Sequence, residues 1–284
     1  MEALFGKPVA DRLNTEITHD VRELRKHNMR VRLSVVLVGD DPASLAYIAT
    51  KREQAGKHGI EFDFHHFPES LTQDELCRKI VDLNRAPATT GVIIQLPLPA
   101  HFQKQQVLDC VLPSLDVDAL TSSNQSRLSS DDPLFLPPTP AAILELLKWY
   151  KISLKGKHVL LLGAGDLVGK PLARILVASG ITVSVVTEST KDTKVLLASA
   201  DVIISAVGKP GIISGKQIKK GAIVVDAGTS FVYTDNRVKL VGDVDFESAS
   251  KVASLITPVP GGVGPITVAM LYRNVVDAAK RQIR

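Results

Sequence analysis

The sequence predicts an α/β protein of two domains, each built on a mostly parallel sheet covered by helices. In both halves of the chain short apolar, strand-like runs alternate with longer helix-compatible runs. A stretch dense in Ser, Asp and Pro, from Asp116 to Pro140, separates the halves and reads as a linker. The 284 residues are enough for two modest cores. The expected domains are therefore 1–120 and 141–265, with a last helix, 266–284, packing back on the first domain.

The elements follow in order. Val31–Val38 is a buried strand, and the Gly39–Pro42 turn leads into a helix over Ala43–His58. Ile60–Phe67 alternates as a strand. Thr72 and Glu75 have the spacing of a capping box for a helix ending near Asn84. Gly91–Leu96 is a further buried strand. After the linker, Ala141–Tyr150 is a helix and His158–Leu162 a strand, followed by a glycine turn and a helix to Ser179 that Gly180 stops. Ile181–Val186, Val202–Ala206 and Ile223–Ala227 are strands, so the second half reads as a doubly wound, Rossmann-like domain. Pro258 to Pro265 packs three prolines and three glycines into eight residues, a rigid turn ahead of the final helix.

Composition narrows the class. Apolar residues make up 45% and charged residues 23%, as in ordinary globular proteins. The net charge of +4 comes without a basic run or a basic patch interleaved with aromatics, so nucleic acid is not implied; a mild positive excess suits an anionic small molecule. No apolar run approaches a membrane span, and the N-terminus does not read as a secretory signal. Cys77 and Cys110, far apart and in no ligand spacing, read as reduced thiols of a cytoplasmic protein. The His residues show no metal spacing, and no metal is expected.

Several residues could carry chemistry. Gly163-x-Gly165-x-x-x-Gly169 lies between a strand and a helix, where glycines permit a tight turn, approach of a pyrophosphate to the backbone, and close helix–strand packing. Glu188 lies 25 residues beyond Gly163, near where an acid binds adenosine ribose hydroxyls and repels a 2′-phosphate. It also reads as a solvated loop residue, and Lys191 and Lys194 stand near in sequence to compensate its charge. Tyr47 and Lys51 share one helix face at i, i+4, a pairing that on its own is ordinary surface. Gln95 interrupts an apolar strand at its carboxyl end and needs hydrogen-bond partners if buried. Asp116 and Asp118 are turn formers or ligands.

Taken together, Tyr47-x-x-x-Lys51, Gly91–Pro99, Asp116-Val-Asp118, Gly208–Gly211, Val241–Phe246 and Thr257–Pro265 resemble the bifunctional methylenetetrahydrofolate dehydrogenase/methenyltetrahydrofolate cyclohydrolase family, nearly end to end. The resemblance implies a folate cleft between the two domains and an enzyme of one-carbon metabolism feeding purine synthesis. It implies oxidation of 5,10-methylenetetrahydrofolate with NADP or NAD, then hydrolysis of the methenyl product. By position, Lys51 would be the central catalytic group, Tyr47 would stack on the folate, Gln95 would orient Lys51, and Asp118 would hold the pterin. Pro260, Gly261 and Gly262 would line the folate site. Gly163, Ala164, Gly165, Gly169, Glu188 and Thr229 would meet the dinucleotide. A cytoplasmic homodimer is implied likewise.

The chain departs from the family pattern mostly around the cofactor. The usual Lys and Gly flanking Asp-Val-Asp are Leu115 and Ala119, Pro-Cys-Thr-Pro is Pro137–Pro140, the usual Ser in the dinucleotide turn is Gly165, and the polar cluster after the second Rossmann strand is Thr187-Glu188. The family's Gly-Ile-Asn is Gly228-Thr-Ser230. Glu188 thus leans toward NAD against the family's NADP habit. Two alternatives differ in class: a dehydrogenase without useful cyclohydrolase activity, which loss of Lys51 would have signalled, and a catalytically silent nucleotide-binding paralogue. An amino-acid dehydrogenase of similar layout lacks the folate-type motifs.

Overall fold

The computed structural model describes residues 1–130, 132–234 and 237–283. The chain forms two units. One comprises residues 12–127, 131–137 and 268–284, and the other residues 1–11, 128–130 and 138–267.

The first unit holds a parallel sheet in the order Glu61–Phe67, Arg32–Val38, Gly91–Ile94. Its central strand is buried along almost its whole length, as a strand covered on both faces must be. The Pro42–His58 helix begins one residue before the expected start. Proline is tolerated there because its missing N–H has no partner in the first turn, and Asp41 caps the end by accepting from the Ser44 N–H. Gly59 closes the helix in the left-handed conformation, φ +74°. The capping box of Thr72 and Glu75 is formed at the head of the Gln73–Arg85 helix. A long helix, Lys7–Lys26, was not expected, although Leu13, Ile17, Val21 and Leu24 repeat at helical spacing and are buried.

Cys77 and Cys110 correct the sequence reading, for they are joined as a disulfide with Cα atoms 5.7 Å apart. The Gln73–Arg85 and Lys104–Leu108 helices pack through Leu76, Ile80, Val107 and Leu108, which brings together cysteines separated by 33 residues. The expected linker is also more ordered than its composition suggests. Ser122–Arg127 is a short helix, and the next helix starts at Pro138 rather than Ala141, with its prolines in the first turn.

The second unit is a six-stranded parallel sheet. Its order is Glu2–Ala3, Leu255–Ile256, Ile223–Asp226, Val202–Ser205, His158–Leu162, Thr182–Val186. From His158–Leu162 the chain winds first to one side and then to the other, so the carboxyl end of that strand is a topological switch point. An antiparallel pair, Ser230–Thr234 with Arg237–Val241, is an addition to the expected elements. The final helix begins at Val263, inside the Pro/Gly-rich stretch, because Pro265 falls within its first turn.

Candidate active site

Each unit gathers its own set of the expected residues. In the first unit Lys51 lies mid-way along the Pro42–His58 helix, with Tyr47 one turn earlier and half of it open to solvent. The Lys51 ammonium donates to Gln95 Oε1 at 2.8 Å. Gln95 Nε2 in turn donates to the Leu96 carbonyl at 2.8 Å, which fixes the amide with its oxygen toward the lysine. Burial pulls the Lys51 pKa below the usual range for an amine, and Asp118 pulls against it. Gln95 is neutral and adds no charge to that balance. Asp118 is half-buried as a residue, with its carboxyl turned inward. Burial pushes this carboxyl up to about 6, Lys51 draws it down, and Asp116 pushes it up again. The site therefore holds an amine and an acid whose pKa values both move toward neutrality, the condition for exchanging protons near pH 7.

The two aspartates of Asp116-Val-Asp118 separate into different roles. Asp116 accepts from the Leu120 and Thr121 N–H groups and from Asn124 Nδ2, at 2.8 to 3.0 Å. It fastens the loop, leaving Asp118 as the carboxyl beside Lys51. Ala119, where the family pattern has Gly, takes a left-handed backbone at φ +55°.

Two residues that the sequence reading passed over hold this cluster from the final helix. Tyr272, wholly buried, donates its hydroxyl to the Lys51 carbonyl at 2.5 Å. Asn274 donates to the carbonyls of Val117 and Leu136, at 2.8 and 2.9 Å. Their signal was available: a phenol and an amide in the apolar run Ile266–Ala279 need buried partners.

In the second unit the glycine turn has the steric logic of a dinucleotide cradle. Gly163 has φ +96°, and a Cβ there would lie 2.6 Å from the Ala206 carbonyl oxygen. A Cβ on Gly169 would lie 1.9 Å from the Gly163 oxygen. Around Gly165 the space is open, and Val168, at the head of the Gly169–Ala178 helix, offers no side-chain cap. The Lys170 N–H donates to the Gly165 carbonyl at 3.1 Å, the Leu172 N–H to the Val168 carbonyl at 2.9 Å, and Pro171 has none, so a pyrophosphate would approach at the open backbone of Gly165. Glu188 follows the Thr182–Val186 strand, and its carboxylate pairs with Lys209. The compensating cation is therefore Lys209, which sequence proximity hid, rather than Lys191 or Lys194.

Thr229, Pro260, Gly261 and Gly262 line a cavity of about 360 Å³ together with Asp226. Two buried aspartates shape its surroundings. Asp226 accepts from the N–H groups of Gly228, Asp243 and Val244, yet burial still pushes its carboxyl up to about 6. Asp243 accepts from the Ser205 hydroxyl and from the N–H groups of Val207, Gly208 and Lys209. Among the described residues there is no cluster of His, Cys, Asp and Glu suited to a metal, and no helix long and apolar enough to cross a membrane.

The family model for the tetrahydrofolate dehydrogenase/cyclohydrolase catalytic domain matches residues 4–118. The model for the NAD(P)-binding domain of the same family matches residues 137–283. The chain belongs to the tetrahydrofolate dehydrogenase/cyclohydrolase family. The bifunctional protein FolD of Acetivibrio thermocellus is 43% identical over 286 residues, spanning 100% of this chain and 99% of that one. The crystal structure of the bifunctional FolD enzyme of Campylobacter jejuni is 40% identical, with a TM-score of 0.94 and 99% of each chain covered. The Trypanosoma brucei FolD, solved as a complex with NADP cofactor and inhibitor, also has a TM-score of 0.94, at 37% identity over 99% of this chain and 98% of that one. The likeness to these solved structures covers 99% of the chain.

Proposed function

We propose that Lys51, Gln95, Asp118 and Tyr47 divide the work of this family's two reactions as follows. The protein is an NAD(P)-dependent methylenetetrahydrofolate dehydrogenase and methenyltetrahydrofolate cyclohydrolase. In the first reaction the methylene carbon gives up a hydride, and a dinucleotide bound on the Gly163–Gly169 turn supplies the acceptor. The residues' task there is to hold the folate in place. Tyr47 offers its exposed ring as a stacking face for the pterin. Asp118 accepts hydrogen bonds from the pterin's N–H groups.

In the second reaction water adds to the cationic methenyl carbon, a proton leaves, and the ring opens to 10-formyltetrahydrofolate. Lys51 takes and returns protons in that sequence. An amine relieved of part of its basicity by burial can do so near neutral pH. Gln95 holds the ammonium in one position without adding charge. The observation that carries the assignment is the 2.8 Å bond from Lys51 to a Gln95 amide whose orientation is itself fixed.

Lys51→Met keeps the side-chain length and removes the amine. Hydrolysis of added methenyltetrahydrofolate, followed by loss of its absorbance, is expected to fall at least about a hundredfold, the usual scale for a proton-transfer group. Binding of a folate analogue is expected to stay within a few-fold. Hydrolysis at the wild-type rate in this variant would refute the assignment. The reading extends to a cytoplasmic homodimer, supported by the family resemblance; light scattering after gel filtration measures the mass.

A further inference from the structure

Glu188 and Lys209 make a contact that the sheet order gives a meaning. Thr182–Val186 and Val202–Ser205 are not neighbours; His158–Leu162 lies between them, and all three strands are parallel. Two strand spacings, about 10 Å, therefore separate the ends from which the two residues come. Glu188 is the second residue past one end and Lys209 the fourth past the other, and their side chains meet. The pair consequently bridges the carboxyl end of the His158–Leu162 strand, where the Gly163 turn begins.

The two partners are held differently. The Lys209 main chain is anchored, because Asp243 accepts from its N–H at 2.9 Å and from those of Val207 and Gly208. The Glu188 loop is tied within itself, the Thr190 N–H donating to the Thr187 carbonyl at 3.1 Å and Thr190 Oγ1 accepting from the Thr187 N–H at 2.9 Å. The Glu188 side chain is 80% exposed. The lysine is thus a cation delivered from a braced loop, and the carboxylate a movable cover on it.

We propose that the Glu188–Lys209 pair sets the choice between NAD and NADP, with Lys209 as the cation a 2′-phosphate needs and Glu188 as the built-in anion that occupies it. The proposal rests on the dinucleotide site described above. Lys209 binds Oε1 of Glu188, and the carboxylate's other oxygen can accept from an adenosine ribose hydroxyl with the pair intact. NAD therefore binds without breaking anything. A 2′-phosphate reaches Lys209 only by displacing the carboxylate, which stays on its short tether beside the incoming charge. The phosphate exchanges one ion pair for another and acquires a like-charge neighbour. Glu188 accordingly favours NAD, and removing its charge uncovers a ready-made phosphate site.

The test uses the full chain without folate and titrates two fragments by calorimetry, ADP-ribose and its 2′-phosphorylated form. The wild-type protein is expected to bind ADP-ribose more tightly. In Glu188→Gln the phosphorylated fragment is expected to gain about tenfold relative to ADP-ribose. In the double variant Glu188→Gln, Lys209→Met that gain disappears, while ADP-ribose still binds. A preference for the phosphorylated fragment in wild type that Glu188→Gln leaves unchanged would overturn the proposal. So would a gain that survives removal of Lys209, which would move the phosphate to Lys191 or Lys194. Failure of every variant to bind either fragment would overturn the dinucleotide site itself and the proposal with it. Loss of the preference alone leaves that site standing.

Discussion

Asp118 makes the pH dependence of folate binding a sharp test of the catalytic cluster. Its carboxyl stands at about 6, raised chiefly by burial. If the carboxylate is the form that accepts from the pterin, the competent fraction is about 0.9 at pH 7 and about 0.1 at pH 5. Affinity for a folate analogue is therefore expected to fall about tenfold over that interval, with a midpoint near 6. An acid at its ordinary 3.8 would lose less than about a tenth of its ionised form over the same range. Stability moves the opposite way. A carboxyl whose folded pKa is raised contributes its full stabilisation below 3.8 and loses it as pH rises through about 6. The shift corresponds to about 3 kcal/mol at most. Asp226, also pushed up to about 6, adds a loss of the same sign, so the two must be separated by substitution. Asp118→Asn is expected to bind the analogue weakly and with no midpoint near 6, while gaining stability relative to wild type as pH rises. Calorimetric titration from pH 5 to 8, alongside urea unfolding at the same pH values, measures both. Wild-type affinity that is flat from pH 7 to 5, or a midpoint near 6 that persists in Asp118→Asn, would refute the reasoning.

Gly169→Ala places a Cβ 1.9 Å from the Gly163 oxygen, so the turn must open. We expect about 1–3 kcal/mol lost in urea unfolding and dinucleotide binding weakened, with folate binding unaffected; unchanged dinucleotide affinity would show that the turn does not seat the phosphates. Asn274→Ala strips donors from the buried carbonyls of Val117 and Leu136. It is expected to cost about 2 kcal/mol and to raise KM for the folate more than it lowers kcat, because the Asp118 loop loses its brace; a loss confined to stability would make Asn274 structural only.

Much of this protein is settled by local pattern. Buried parallel strands write themselves as unbroken apolar runs, so Arg32–Val38, Gly91–Ile94 and His158–Leu162 were legible within a residue or two of their ends. The Thr72–Glu75 box, the Gly163–Gly169 turn and the Tyr47/Lys51 face depend on spacings of a few residues, which sequence displays directly. Starts were missed where proline stands, at Pro42, Pro138 and Pro265, because proline forbids the helix interior and permits its first turn; only the caps and packing decide which applies. What only the tertiary structure decided are the pairings over long separations. Sequence proximity suggested Lys191 and Lys194 for Glu188, but the sheet order brings Lys209 across the end of His158–Leu162. Packing of two helices joined Cys77 to Cys110, and the final helix carried Tyr272 and Asn274 to the Lys51 and Asp118 arms. The same holds for the chemistry: residue type supplies an amine and a carboxyl, but the desolvation that moves both toward neutrality exists only once distant segments close around them.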